Sequence, residues 1–349
     1  MKNSHETLIK WYAENRRDLP WRHDPTPYEV WLSEVILQQT RVSQGMDYYL
    51  RFVERWPTVT DLAAASEEEV LKLWQGLGYY SRARNLHKCA RQVAEQYGEK
   101  FPADFELLKK LQGIGDYTAA AIASIAFNLP HAVVDGNVYR VLARLYDIDT
   151  PININEGQKL FASLADELLD REQPGLHNQA MMEFGALHCT PKNPNCLLCP
   201  LQAQCLAFAH HTVTQRPVKL QKTKVTTRYF NYLVIRIKDK VYLRKRSDND
   251  IWKNLYDFPC IESQKPLTAE EVIGSEEFAQ LVGGKPFTVT AVSPIFTHKL
   301  THRTILAQFI EIKLEQKLLQ IKTKDLFLTP ETELGSFPIP RLIDLYLNN

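Results

Sequence analysis

The chain has 349 residues, 44% of them apolar and 10% aromatic, enough for folded cores and too many for a disordered chain. A net charge of +1 excludes binding to nucleic acid by bulk positive charge, and the most apolar window, AAAIASIAF, is too short to cross a bilayer. The length favours two or three domains, and MKNSHETLIKWY carries neither the apolar block of a signal peptide nor the bias of a transit peptide, so a soluble, cytoplasmic monomer with no membrane association is expected.

From residue 4 to about 209 the pattern is helical. Apolar positions recur at three and four: Leu8, Trp11, Tyr12; Tyr28, Trp31, Leu32, Val35, Ile36; Val70, Leu71, Trp74. Turn signals fall at DPTP (24–27), QGLG (75–78), LQGIG (111–115) and DTPININ (149–155). This region is therefore expected to be all-α over 1–209. Residues 210–227 are polar and basic without periodicity, which suits a linker. Beyond them, RYFNYLVIRIKDKVYLRKR reads as a hairpin turning near 238–240, further strands follow, and TAEEVIGSEEFAQLVG and PRLIDLYL look helical. A smaller α+β domain over 228–349 is expected. Charge divides with it: residues 1–214 carry 21 Lys+Arg against 26 Asp+Glu, and residues 215–349 carry 21 against 15.

Within WLSEVILQQT, Glu34 falls on the apolar strip of a helix. It is either a carboxyl at the strip's edge, reaching water or a cation, or a buried one whose pKa is raised into the range of a general acid. Asp135, in HAVVDGNVYRVLARLY, stands at a helix start. N-capping alone explains it, yet the same donors would hold it ionised. One protonated and one ionised carboxyl suit cleavage of a glycosidic bond. Gly113-Ile114-Gly115 joins two helices. It is either a plain tight turn or one whose free N–H groups hold a phosphate; the absence of a preceding strand and of GK[ST] excludes dinucleotide and P-loop readings. Cys189, Cys196, Cys199 and Cys205 crowd into C-x6-C-x2-C-x5-C; disulfides, zinc and an iron–sulfur cluster are the alternatives, while Cys89 and Cys260 read as inert packing residues. Lys109 and Lys110 read as solvated.

These motifs together resemble the adenine DNA glycosylase (MutY) family of the endonuclease III, helix-hairpin-helix superfamily. The likeness runs from RRDLPWR (16–22) through WLSEVILQQT, QGLGYYSRARNLH, LQGIGDYTAAA, VVDGNVYRVLAR and NQAMMEFGALHCT to the cysteine loop, and so covers nearly the whole chain. The resemblance implies a helix-hairpin-helix glycosylase region with a [4Fe–4S] cluster on the four cysteines of 189–205. It also implies a MutT-like (Nudix-fold) C-terminal domain, and double-stranded DNA with adenine opposite 8-oxoguanine or G as substrate. It makes Glu34 the acid at adenine N7, Asp135 the partner of the sugar cation, and Asn137 its support. Arg17, Leu19, Trp21, Arg22 and Glu183 would line the adenine pocket; Gln39, beside Thr40, and Tyr79 would fill or wedge the opened duplex, one of Tyr79 and Tyr80 being ordinary packing; Gly113 and Gly115 would grip a phosphate. Where superfamily members that cut the backbone have a lysine, this chain has Tyr117, which cannot form an imine, so hydrolysis with little or no strand cleavage is expected. The Nudix catalytic spacing is absent from TAEEVIGSEEFAQLVGG. The domain is expected to read 8-oxoguanine through Phe296-Thr297-His298, where the family has Phe-Ser-His, unless that stretch is simply a strand end. The rival readings are an endonuclease III-like lyase, a thymine–guanine mismatch glycosylase, and a non-catalytic iron–sulfur DNA-binding protein.

Overall fold

The computed structural model describes residues 2–220, 225–247, 250–318 and 326–348. It divides into two units, Met1–Ala64 with Asn85–Gln221, and Ala65–Arg84 with Lys222–Asn349. The helical expectation for the first two hundred residues is met. In chain order the helices are α1 (Lys2–Asn15), α2 (Pro27–Leu37), α3 (Val42–Arg55), α4 (Val59–Ala64), α5 (Glu67–Leu73), α6 (Tyr80–Gln96), α7 (Phe105–Lys109), α8 (Asp116–Phe127), α9 (Gly136–Leu145), α10 (Asn155–Leu168), α11 (Pro174–Leu187) and α12 (Leu206–Ala209).

In the first unit α2 starts where Thr26 and Glu29 form a capping box and Pro27 presets the first turn. Tyr28, Val30, Trp31, Leu32, Ser33, Val35 and Ile36 are all buried, so this helix is enclosed on most of its circumference. Side chains such as Leu32 and Ile36, fully buried, each contribute roughly 1.5–3 kcal/mol. Helix α8 packs against both α2 and α11. Its run Ala119, Ala120, Ala121, Ile122, Ala123 is buried, and the small side chains let the neighbouring backbones come close. Of the expected linker, residues 221–224 lie outside the described residues. Its earlier part is fastened to the first unit, with Val218 O accepting from Ile152 N–H at 3.0 Å and Leu220 N–H donating to Asn153 Oδ1 at 3.0 Å.

The second unit is an α+β body. Its strands are β1 (Thr226–Ile237), β2 (Lys240–Lys245), β3 (Tyr256–Asp257), β4 (Cys260–Ser263), β5 (Phe287–Val292), β6 (Phe296–Lys299), β7 (Arg303–Leu314) and β8 (Leu326–Pro330). β1 and β2 form the expected hairpin, Ile237 opposite Lys240, with Lys238 at φ 54° in the turn. β1 and β7 run parallel at the centre, and residues 230–235 are buried without alternation because both faces are covered. Helices α13 (Ala269–Ile273) and α14 (Glu276–Val282) pack their Val272 and Phe278 into one hydrophobic cluster with Leu233, Ile235 and Ile310, and α15 (Arg341–Leu347) stacks Tyr346 on Phe309 at 4.0 Å. Residues 65–84 belong to this unit through explicit contacts. Glu68 pairs with Lys245 at 3.2 Å and accepts from Tyr256 Oη at 2.7 Å, Lys72 Nζ donates to Phe337 O at 3.0 Å, and Tyr80 Oη donates to Ile339 O at 3.2 Å.

A Cβ placed on Gly175 in α11 would lie 2.6 Å from Ser124 O and 3.0 Å from Ile125 Cα, both backbone atoms of α8. Gly175→Ala is therefore expected to force the two helices apart and cost about 2 kcal/mol in urea unfolding; an unchanged midpoint would contradict this packing.

Candidate active site

Glu34 and Asp135 face one pocket of about 270 Å³, lined also by Gln38, Gln39, Tyr117 and Tyr139. Of the two sequence readings of Glu34, the enclosed one holds. The residue keeps some surface toward the pocket, but protein packs densely around its carboxyl. That burial pushes its pKa up to about 7, against the hydroxyl of Tyr117, which donates to Glu34 Oε2 and pulls it down; the nearby charge of Asp135 pushes the same way as burial. Tyr117 sits in the first turn of α8, and its phenol is held far above its ordinary range by burial and by both carboxylates.

Asp135 caps α9. Its Oδ1 accepts from Asn137 N–H at 2.9 Å and Val138 N–H at 2.7 Å, and its Oδ2 accepts from Asn137 Nδ2 at 2.7 Å. These donors act against burial, which is the larger effect, so the pKa is raised from the ordinary carboxylate range. Asn137 is fixed in turn by Arg140 Nη2, which donates to Asn137 Oδ1 at 2.9 Å, while Arg140 Nε donates to Cys189 O at 2.7 Å. The approach to Asp135 is set from α11, where buried Asn178 accepts from Val133 N–H at 3.1 Å and donates to His131 O at 2.8 Å. Gly185 leaves room for this arrangement, since a Cβ there would lie 2.7 Å from Asn137 Cβ.

A second buried carboxyl behaves oppositely. Glu183, 1% exposed, would be raised by burial, but it accepts from Arg17 N–H at 2.9 Å, Arg17 Nε at 2.8 Å, Arg17 Nη2 at 2.6 Å and Arg22 Nη2 at 2.8 Å, and is held at about 2. Leu19 and Trp21, between those arginines, are buried, with Trp21 edge-on to Tyr49 at 4.8 Å.

The four clustered cysteines are free thiols. Three of them, Cys189, Cys199 and Cys205, pack beside Leu201 on the core that includes Phe184 and Leu142. Burial pushes Cys199 up to about 11, with the other three thiols acting in the same direction. Arg144 wraps the loop: Nη1 donates to Thr190 O at 2.7 Å and lies 3.4 Å from Cys189 Sγ. Among the described residues no group of three or more Cys, His, Asp or Glu stands in metal-holding geometry. The fit to a metal centre therefore rests on the donor set: four unpaired thiols on one loop, partly buried, with a guanidinium against one sulfur, suit a soft, thiolate-held centre.

In the turn of LQGIG, Gly113 has φ +79°. Lys109, expected to be solvated, is exposed, and it pairs at the surface with Asp116 at 2.9 Å, its ammonium 5.1 Å from the Phe105 ring centroid. Gln39 is exposed and holds φ 56°, a left-handed conformation uncommon outside glycine, and Thr40 donates to Gln38 O at 3.3 Å.

Residues 32–164 match the family model of HhH-GPD superfamily base excision DNA repair proteins, and residues 231–349 match that of the NUDIX domain. An adenine DNA glycosylase of Buchnera aphidicola subsp. Schizaphis graminum is 36% identical over 260 residues, covering 74% of this chain and 75% of the relative. A second, from Buchnera aphidicola subsp. Baizongia pistaciae, is 34% identical and covers 86% and 83%. The chain belongs to the adenine DNA glycosylase family. The mouse family member is 49% identical over 211 residues, 58% of this chain and 41% of that one. Among solved structures, a thermostable thymine-DNA glycosylase matches with a TM-score of 0.56 at 29% identity, covering 60% of this chain and 96% of that one. A trapped endonuclease III–DNA covalent intermediate matches with a TM-score of 0.53 at 25% identity and the same coverages. Membership makes this chain a DNA glycosylase with the expected two-part fold. No helix among the described residues is long and apolar enough to cross a membrane.

The second unit also holds an open cleft. Tyr79, 48% exposed and at φ 49°, shares a 2.6 Å hydrogen bond with Thr301 Oγ1, and both line a cleft of about 500 Å³ with Arg84, Trp252, His302 and Arg303. The expected lesion reader, Phe296-Thr297-His298, lies within β6, Phe296 edge-on to Phe309 at 5.3 Å and His298 5.8 Å from Trp252, which lines that cleft. The chain reverses at Leu300-Thr301-His302, with Leu300 N–H donating to Arg303 O at 2.7 Å. Reading by motif missed Arg140, Arg144 and Asn178; the four-residue spacing of the two arginines, on a helix otherwise apolar there, was the available signal.

The Glu183 cluster sets a stability test. Its folded pKa is depressed, so its contribution is present above its ordinary value of 4.5 and is lost as pH falls from there toward about 2. Glu183→Gln is expected to cost about 3 kcal/mol at neutral pH and to flatten the loss of stability below pH 4.5, as read by urea unfolding at a series of pH values.

Proposed function

We propose that the chain hydrolyses the N-glycosidic bond of adenine paired with 8-oxoguanine, or with G, in duplex DNA, and leaves the sugar–phosphate backbone uncut. The observation that carries this reading is the pairing, across one small pocket, of a carboxyl raised to about 7 with a second carboxyl held by three N–H donors.

Adenine leaves the base stack to enter the pocket. Glu34 is protonated near neutrality and gives its proton to N7, so the bond's electron pair departs with a neutral base. Of the pair, Asp135 carries the negative charge, because its oxygens meet three N–H groups while Glu34 meets one hydroxyl. That charge stabilises the cation at C1′ until water adds there and returns a proton to the carboxyl pair. Asn137 holds Asp135 in place. Arg17, Arg22 and Glu183, with Leu19 and Trp21, form the wall against the adenine edge. Tyr117 can polarise Glu34 but cannot attack the sugar as an amine would. Gly113 and Gly115 take a DNA phosphate, and Gln39 and Tyr79 occupy the opened duplex. Cys189, Cys196, Cys199 and Cys205 hold a [4Fe–4S] cluster, which supplies a covalent brace to the loop that Arg140 and Arg144 grip. Recognition of 8-oxoguanine falls to Phe296-Thr297-His298 in β6, with Trp252 against His298.

A single-turnover assay with A, C or T opposite 8-oxoguanine, with and without alkali, tests the reading. Alkali-dependent cutting of the A strand alone is expected; cutting without alkali would refute monofunctional hydrolysis. Glu34→Gln is expected to lower the rate by about 10³-fold while duplex binding persists. The wild-type rate is expected to fall as pH rises through about 7, where Glu34 loses its proton. Tyr117→Phe removes a donor that favours the ionised form, so it should move that alkaline limb upward. Cys199→Ser is expected to lower the iron and inorganic sulfide bound per chain; an unchanged content would contradict the ligand assignment.

A further inference from the structure

Helix α6 carries two amides on one face, Asn85 and Gln92, seven residues and two turns apart. Both meet the turn between α7 and α8. Gln92 Oε1 accepts from Gln112 N–H at 3.0 Å, and Gln92 Nε2 donates to Lys110 O at 3.3 Å. A single amide thus pairs one donor and one acceptor of a backbone that has left helical geometry and would otherwise look to water. Asn85 underlies the same turn. A Cβ on Gly113 would sit 2.7 Å from Asn85 Cβ, and Asn85 Oδ1 accepts from Gln112 Nε2 at 3.5 Å.

The remaining N–H groups divide cleanly. Ile114 N–H is spent on Leu111 O at 3.1 Å, and Gln112 N–H on Gln92. Among the described residues Gly113 N–H and Gly115 N–H have no partner. Gly113 reaches its φ of +79° only while the turn is held, and that conformation determines where its N–H points. An anchored amide therefore selects which donors stay open.

We propose that Gln92 is a positioning residue: it clamps the Gly113–Gly115 turn in the conformation that offers two backbone donors to a nucleic-acid phosphate. This rests on the DNA-binding role given above to that turn. Gln92 touches no reacting atom. Its contribution is to backbone-directed affinity, shared by every duplex irrespective of sequence, and not to bond cleavage.

The test uses the full chain with Gln92→Met, which keeps the length of the side chain and removes both hydrogen bonds. Affinity is measured by fluorescence anisotropy for an undamaged duplex and for one carrying a non-hydrolysable 2′-fluoro-adenosine opposite 8-oxoguanine. Adenine release is measured in single turnover at saturating duplex. The Kd is expected to rise about tenfold for both duplexes, with the saturated rate within twofold of wild type. An unchanged Kd, or a saturated rate that falls as far as the affinity, overturns the proposal. Should Gln92→Met fail to fold, Asn85→Ala decides by the same two readouts and the same criteria. Failure of the wild-type chain to release adenine would count against the proposed function instead, with the effect of Gln92 on undamaged-duplex affinity still readable.

Discussion

The proposed chemistry depends on enclosing one carboxyl in protein. Glu34 sits on a helix enclosed by large apolar side chains, and its polar partner is a single hydroxyl, from Tyr117. An unscreened charge in such a place is costly, so the carboxyl holds its proton near neutrality. Everything around it follows from that constraint. The alanine run of α8 lets the phenol come within hydrogen-bonding reach, and the capping box at Thr26 fixes where the helix begins. A second carboxyl can face the first only because N–H groups, not water, solvate it.

Glu34 and Glu183 illustrate how surroundings decide what a carboxyl does. Both are enclosed by protein. One meets a lone phenol and rises to about 7; the other meets two guanidiniums and falls to about 2. The first is suited to moving a proton and the second to staying charged and rigid. The chain Asp135–Asn137–Arg140–Cys189 links the Glu34–Asp135 pocket to the cysteine loop through three consecutive polar contacts, so a single short helix, α9, orients both.

Much of this was legible from residue order. The helical region, the β1–β2 hairpin near 238–240 and the pocket formed by Glu34, Tyr117 and Asp135 all follow from periodicity and motif. What escaped had a physical cause. Whether Asp135 is pushed up or down depends on a contest between burial and donors, and burial is a three-dimensional quantity. The Lys109–Asp116 pair closes only once the hairpin has formed. Amides such as Gln92 and Asn178 leave no pattern at all, since their roles are set by backbone groups far along the chain.

The assignment of residues 65–84 to the second unit bears on biosynthesis. Val70, Leu71 and Trp74 are fully buried, and polar contacts bind this stretch to Lys245, Phe337 and Ile339. Those partners leave the ribosome long after α5 does; at about 5–20 residues per second the wait is on the order of ten seconds or more. During that interval Glu68, Lys72 and Tyr80 lack these polar partners. Synthesis past residue 339, and not completion of the first two hundred residues, is therefore the moment at which Tyr80 can first settle on Ile339 O.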